Sequence, residues 1–346
     1  MKKVKAFLKR KDIVFSRQRY LVEALSAMTL GLFSSLLIGL IFKTLGEQVA
    51  LGFGANRISA FLVEIGATAQ SLMGPAVGAA VAWGLKAPPL VIFSSVITGG
   101  LGAAMGGPAG AFLAAALGAE FGKAVSKETK VDIIVTPAVT MIIGMLTAMT
   151  AGPAVSWLME GLGIVVMKAT ELQPFFMGII VSVIVGLVLT APISSAALCI
   201  MMGLGGLAGG AATAGCCAQM IGFAVISFKQ NGVGGLFAQG IGTSMLQVPN
   251  IVKNPWILLP PTLAAAITGP IATMVFRMEN IPEGSGMGTS GLVGQIGTLT
   301  AMGSTPMVWL GIALVHFILP AGLSLLFDWL LKRAGKIKGE DYILAL

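Results

Sequence analysis

The sequence contains few charged residues. Asp, Glu, Lys and Arg make up 10% of the 346 residues, whereas a soluble domain carries about 25%. Hydrophobic residues make up 56% of the chain, and the mean hydropathy is +0.92. This composition excludes a soluble globular protein and predicts an all-α polytopic membrane protein.

The sequence also lacks the side chains that most catalytic sites need. It has a single histidine, His316, and three cysteines, Cys199, Cys216 and Cys217, which show no CxxC spacing. Neither a disulfide framework nor a zinc site is therefore expected. The HExxH, GxSxG and Walker A motifs do not occur in the sequence. We expect no catalytic residue, no metal, no cofactor and no phosphotransfer residue on this chain.

The excess of positive charge, +8 in total, lies at the two ends of the chain. Residues 1–20 hold eight Lys or Arg and one Asp, and Lys332, Arg333, Lys336 and Lys338 follow the last apolar segment. Because cytoplasmic flanks of membrane helices are rich in Lys and Arg, both ends are predicted to be cytoplasmic and the number of crossings to be even. The basic residues suit contact with lipid headgroups, and nothing in their placement indicates nucleic-acid binding.

About ten apolar segments are predicted to span a membrane. Residues 153–170 contain Glu160 and several glycines, so they are a candidate interfacial or re-entrant helix. If they cross instead, another segment such as 277–305 must supply a further crossing. The predicted spans are residues 21–44, 58–86, 89–105, 108–125, 132–152, 174–190, 192–209, 211–228, 256–276 and 306–331.

The apolar segments carry an internal repeat. Met73-Gly74 and Met177-Gly178 are each followed fourteen residues later by an Ala-Pro pair, and the two copies are 104 residues apart without a gap. Such duplication is typical of transporter folds, in which the substrate binds between the halves. With ten spans the copies run parallel, and with a further crossing they are inverted. The predicted organisation is a basic segment 1–20, repeat 1 at 21–152, repeat 2 at 153–276, a Gly-rich segment with the final helix at 277–331, and a cytoplasmic tail at 332–346.

Two stretches, 232–250 and 283–303, are too polar to span a membrane and too poor in charge to be ordinary free loops. Irregular backbone at membrane depth persists only where protein or a water-filled cavity satisfies its amides. Both are therefore predicted to be re-entrant segments that line a substrate site, with a flexible extramembrane loop as the alternative. The predicted substrate contacts are Glu283, Gln239, Gln247, Asn250 and Gln295, with Glu64, Gln219 and His316 as further candidates because polar groups inside apolar segments are rare.

Several elements together resemble the phosphotransferase-system sugar permeases of enzyme IIC type, a bacterial membrane family that includes the perfringolysin O regulator-like proteins. The resemblance implies a homodimer that works with separate IIA and IIB proteins, and a glutamate that holds sugar hydroxyls, for which Glu283 is the match. A histidine commonly shares that role, although His316 lies in a predicted helix rather than in an adjacent loop. The elements are the basic start, the two Ala-Pro turns, Thr136-Pro137, Thr190-Ala191-Pro192, the Gly205–Gly210 run and the Glu283–Gly291 loop.

Two functions are compatible with the sequence. The first is an enzyme IIC permease that binds and translocates a small polar, sugar-like solute by alternating access. The alternative is a membrane sensor or regulator that keeps a transporter-like fold without transporting, as the resemblance to toxin regulators suggests. An ion channel is disfavoured because no charged ring or filter-like motif occurs in the sequence.

Overall fold

The computed structural model describes residues 2–344, and this part of the chain is helical with no β-strand. Six of its helices are long and apolar enough to cross a membrane, or seven if a pair of helices bent by 50° is one span. The predicted all-α polytopic membrane fold is therefore confirmed. The number of long candidates is lower than the ten predicted spans because several predicted spans are shorter, broken or joined in the structure.

The helices are numbered here in chain order. Between Phe237 and Val248 the backbone also forms a π-helical turn, Ala238–Gly242, and a 3-10 turn, Ser244–Gln247. The helices are α1 Lys2–Arg10, α2 Gln18–Phe53, α3 Arg57–Ser71, α4 Met73–Gly84, α5 Pro89–Val125, α6 Asp132–Thr170, α7 Pro174–Thr190, α8 Ser195–Met201, α9 Gly206–Ile226, α10 Phe228–Phe237, α11 Val248–Lys253, α12 Pro255–Val275, α13 Pro282–Ser285, α14 Val293–Met302 and α15 Pro306–Arg333.

The chain forms two compact units that divide within α6, between Leu158 and Met159. Helix α6 is continuous over 39 residues, which corresponds to about 58 Å of helix. The predicted span 132–152 and the ambiguous segment 153–170 are thus one helix, although Pro153 lies inside it. The predicted boundary between the repeats, at residue 152, falls within this helix.

In the N-terminal unit, helices pack through small residues. A Cβ atom added at Gly39 would lie 2.8 Å from the Gly66 carbonyl oxygen, and one added at Gly78 would lie 2.0 Å from the Ser95 carbonyl oxygen. These contacts join α2 to α3 and α4 to the first half of α5. Small residues let membrane helices approach closely, so many of the chain's glycines serve packing.

Helix α5 reverses direction at Gly106 and Gly107. Gly107 has φ +57 and ψ −149, a backbone conformation that residues with a side chain rarely adopt, and Pro108 follows it. A Cβ atom added at Gly102 would lie 2.3 Å from the Gly110 carbonyl oxygen, although a straight helix would separate these residues by about 12 Å. The two arms, 89–105 and 108–125, are therefore antiparallel, and the predicted division at this motif is where the chain turns.

Buried charges hold the basic start of the chain to the helix ends of the N-terminal unit. Arg19 and Lys123 both donate hydrogen bonds to the Leu85 carbonyl oxygen, at 2.8 and 2.9 Å. Lys123 also donates to the Asp12 carbonyl oxygen at 2.7 Å, and Arg19 forms ion pairs with Asp12 and Glu23. These bonds satisfy a carbonyl at the C-terminal end of α4 that has no partner within its own helix.

In the second unit, α9 is the central helix. The apolar 18-residue stretch of α9 is 89% buried, whereas that of α6 is 28% buried. The exposed apolar side chains of α6 suit contact with lipid. A Cβ atom added at Gly215 of α9 would lie 1.9 Å from the Ser182 carbonyl oxygen of α7. Helices α7, α12 and α15 all pack around α9, and this helix therefore places its polar side chains inside the unit.

One predicted span, 192–209, is wrong as a continuous helix. The chain forms only the seven-residue helix α8 and then breaks before α9 begins at Gly206. Gly203, with φ +58, follows the end of α8, and Gly206, with φ +59, stands where α9 begins. Both values favour glycine, and the first ends α8. The predicted span 211–228 lies largely within α9.

Candidate functional site

The three predicted contacts of the first polar stretch are buried and hydrogen-bonded to one another. Gln247 Nε2 donates to Gln239 Oε1 at 2.9 Å, and Asn250 Nδ2 donates to Gln247 Oε1 at 2.8 Å. Gln239 Nε2 donates to Ser227 Oγ at 2.8 Å. Together with Asn231, these amides are called the amide cluster below.

Residues 336–344, called the strap, cover the amide cluster. The cluster binds the backbone of the strap and so needs no particular strap side chain. The hydrogen bonds run from Asn231 Nδ2 and Gln247 Nε2 to the Tyr342 carbonyl oxygen (2.8 and 3.2 Å), from Asn250 Nδ2 to the Ile343 carbonyl oxygen (2.9 Å), and from the Leu344 amide to Asn231 Oδ1 (2.9 Å).

The side chain of Tyr342 anchors the strap in the second unit. Its ring is fully buried, and its hydroxyl donates to Asp328 Oδ1 at 2.7 Å. Lys332 Nζ donates to Asp328 Oδ2 at 2.6 Å and lies 5.2 Å from the centroid of the Tyr342 ring. Burial raises the pKa of the Tyr342 phenol above its ordinary value, and the adjacent Asp328 carboxylate raises it further, because both disfavour a phenolate.

Gln295 and His316 come from different helices and meet beside Cys217, forming the deep cluster. Gln295 Nε2 lies 3.2 Å from His316 Nδ1 and 3.4 Å from Cys217 Sγ, and all three side chains are buried. His316 lies in a π-helical turn of α15, Ile312–Ile318, a distortion that is frequent at functional sites. Cys217 projects from the middle of α9.

Two atoms of the deep cluster have no hydrogen-bond partner. Within the described part of the chain, Gln295 Oε1 and His316 Nε2 are buried and unpaired. Leaving a buried polar atom unpaired costs about 1–3 kcal/mol. With Gln295 Nε2 as the donor to His316 Nδ1, His316 carries its proton on Nε2, so the cluster offers one acceptor and one donor to a ligand or a water molecule.

Gln219 lies in α9, and its side-chain amide connects this helix to α7 and α12. Its Nε2 donates to Thr262 Oγ1 at 3.0 Å, and its Oε1 accepts from Thr190 Oγ1 at 3.2 Å. Thr190 Oγ1 is also 2.8 Å from Ser244 Oγ in the first polar stretch. Both amide atoms of Gln219 thus have a protein partner, as in a structural side chain.

The predicted acidic contacts lie at exposed positions. Glu283 is in the first turn of α13, a short helix that packs against α14, the helix of Gln295. Glu64 is exposed on α3 in the N-terminal unit, beside a shallow groove of about 760 Å³ that Asn56 also lines. Within residues 2–344 neither carboxylate has a hydrogen-bond or ion-pair partner.

Asn280, which was not predicted, fixes the second polar stretch to α9. Asn280 Nδ2 contacts Thr213 Oγ1 (2.6 Å), the Gly294 carbonyl oxygen (2.8 Å) and Thr298 Oγ1 (3.3 Å).

The two polar stretches themselves meet where Thr289 Oγ1 donates to the Gly240 carbonyl oxygen at 2.5 Å.

Sequence reasoning also missed Asp328 and Tyr342. Asp328 is an acidic residue inside the last apolar span, and the criterion that selected Glu64 would have found it. Tyr342 lies outside every apolar segment, and no sequence pattern marks it as buried. Both residues hold the strap.

Comparison with known proteins gives one match. A family model described as "Phosphotransferase system, EIIC" matches residues 22–344. No curated protein and no solved structure matches the chain. The matched region includes both polar stretches, the deep cluster and the strap.

Proposed function

The chain belongs to the phosphotransferase system EIIC family, and from this premise we propose that its second unit binds a sugar-like solute and carries it across the membrane by alternating access. An EIIC protein is the sugar-specific permease component of a system that also includes IIA and IIB proteins. The resemblance predicted from the sequence is therefore confirmed at the level of the family. The family match does not favour the alternative of a sensor that does not transport.

The observation that carries the proposed site is the open hydrogen-bonding capacity of the deep cluster. Gln295 Oε1 and His316 Nε2 are buried and unpaired within the described residues, on two side chains whose Nε2 and Nδ1 atoms lie 3.2 Å apart. A sugar hydroxyl both donates and accepts, so a pair of neighbouring hydroxyls matches this acceptor and donor. A charged solute fits less well, because no ionic partner is among the contacts of the cluster.

Glu283 is proposed as a second contact. A carboxylate can accept two hydroxyl hydrogen bonds at once, and Glu283 has no protein partner within residues 2–344. It stands on α13, directly against the helix that carries Gln295. Gln219 bonds to Thr190 and Thr262 and not to the deep cluster, so it is proposed to hold the helices around the site. Glu64 belongs to the N-terminal unit and is left out of the proposed site.

The glycine breaks are proposed to permit the movement. Each unit contains a helix, an Ala-Pro turn, a second helix, a glycine break and a third helix: α4 and the two arms of α5 in one, and α7, α8 and α9 in the other. This shared order supports the proposed internal repeat. A homodimer in the bacterial inner membrane, with both ends cytoplasmic and basic residues near lipid headgroups, completes the proposal.

Reconstitution tests the transport proposal. The protein in liposomes should equilibrate at least one of several radiolabelled sugars faster than empty liposomes do, and the same sugar should raise its unfolding temperature in detergent. If no sugar crosses or stabilises, the transport proposal fails. A regulator would instead show altered transcripts and unaltered sugar uptake when its gene is deleted.

A further inference from the structure

We infer that the strap, residues 336–344, is a removable latch that keeps solute away from the amide cluster while it is docked. The inference rests on the proposed function, because the amide cluster belongs to the first polar stretch, which was predicted to line the substrate site. In the docked state, Asn231, Gln247 and Asn250 hold the strap and do not bind solute.

The chemistry of the contact makes it replaceable. Four side-chain amides donate to strap carbonyl oxygens, since Asn254 Nδ2 also donates to the Lys336 carbonyl oxygen at 3.0 Å. An amide donor accepts a hydroxyl oxygen as readily as a carbonyl oxygen for its partner. A sugar can therefore satisfy the same donors once the strap has left, without leaving buried amides unpaired.

The strap is built to move as one piece. It begins after Gly335, which has φ +68 and has no atom near the position of an added Cβ, so the backbone can pivot there. Beyond the pivot, only Ile337 and Tyr342 enter the apolar cluster formed with Phe223 and Ile257. Undocking removes these two side chains and leaves the membrane helices in place.

Docking and solute binding exclude each other in this arrangement. While the strap is docked, Gln247 Nε2 and Asn250 Nδ2 are occupied by protein acceptors. A solute that uses them must therefore displace the strap. By linkage, the docked strap lowers the affinity for solute by the same factor by which bound solute weakens the docking of the strap. The latch accounts for the presence of several buried amides whose donors are bonded to protein acceptors in the docked structure.

A reversible crosslink tests the latch. Asn254 Nδ2 donates to Asp341 Oδ2 at 2.8 Å, so cysteines in the double variant Asn254→Cys, Asp341→Cys lie within reach of a short cleavable bis-methanethiosulfonate reagent. The native cysteines are all buried. The two single variants, treated in the same way, are the controls. The probes are radiolabelled glucose, mannitol, N-acetylglucosamine and lactose, and the readout is their equilibration into liposomes.

We expect the crosslinker to lower equilibration at least tenfold in the double variant and reduction to restore it, whereas treatment leaves the rate of each single variant equal to that of its own untreated sample. Unchanged equilibration in the crosslinked protein would overturn the latch. If no protein, including the wild type and a chain that ends at Gly335, carries any probe, the proposed function fails and the latch falls with it.

A second variant guards against a crosslink that merely stiffens the protein. Tyr342→Phe keeps the ring and removes the bond to Asp328, so it should loosen the strap. In an Ile337→Cys background, it should raise the thiol-labelling rate at residue 337 and the rate of equilibration together. Faster labelling with no faster equilibration would contradict the latch.

Discussion

Gln295 Nε2 lies 3.2 Å from His316 Nδ1 inside the second unit, and this contact leaves one buried acceptor and one buried donor unpaired within the described residues. The two residues are 21 positions apart and belong to different helices, α14 and α15. Their meeting point is the proposed site of the sugar.

Removing the acceptor should weaken sugar binding. In Gln295→Ala we expect the dissociation constant to rise about two- to tenfold, because one hydrogen bond contributes about 0.5–1.5 kcal/mol. The measurement is equilibrium binding of a radiolabelled sugar to purified protein. Thr300→Ala, an exposed change on the same helix, is the control and should bind normally.

Glu283 offers a sharper test because its carboxylate is charged. Glu283→Gln should fold and express normally but lower sugar affinity about tenfold, since a hydrogen bond to a charged group contributes about 1.5–3 kcal/mol. Glu279→Gln, another exposed carboxylate close by, is the matched control. Equal affinity in wild type and Glu283→Gln would remove this residue from the site.

Lys123 should matter for stability and not for sugar binding. Its buried Nζ bonds to the Asp12 and Leu85 carbonyl oxygens and lies 3.2 Å from Glu120 Oε2. Lys123→Met leaves a buried carboxylate without its partner, which typically costs about 3–5 kcal/mol. Its unfolding temperature should fall clearly, whereas that of the exposed variant Lys130→Met should not. Equal unfolding temperatures would show that the buried pair contributes little.

Alkaline pH should loosen the strap. The groups around the Tyr342 phenol are Asp328, Lys332 and Asp341, and burial raises its pKa in the folded protein. A raised pKa means that the stabilisation is complete below the unfolded value of about 10 and is lost as the pH rises above it. Thiol labelling in the Ile337→Cys background should therefore accelerate above pH 10. With Tyr342→Phe added, this acceleration should disappear, and a residual acceleration of equal size would contradict the assignment to Tyr342.

The fold class and several breaks could be predicted from local sequence. The run Gly106-Gly107-Pro108 predicted where α5 divides, because these residues end helices by their own backbone preferences. Pro153 does not end α6, which continues through it. The break between α8 and α9 was missed because the surrounding residues are as apolar as those of a continuous span.

The candidate site was predictable in composition but not in pairing. The polar composition of residues 232–250 drew attention to Gln239, Gln247 and Asn250, which are buried. The partners of Gln247 and Asn250 in the strap lie more than 90 positions further along the chain, and no local pattern brings such distant segments together. Gln295 and His316 were likewise selected separately, and only the packing of α14 against α15 shows that they meet.

The most direct test of the central claim is saturable binding of a sugar to the purified protein, measured with radiolabelled glucose, mannitol, N-acetylglucosamine and lactose on the wild type and on Gln295→Ala. We expect at least one sugar to bind saturably, with weaker binding in Gln295→Ala and unchanged binding in Thr300→Ala. Saturable binding that is equally tight in Gln295→Ala would contradict the proposed site, and the absence of saturable binding for every sugar would contradict the proposed permease.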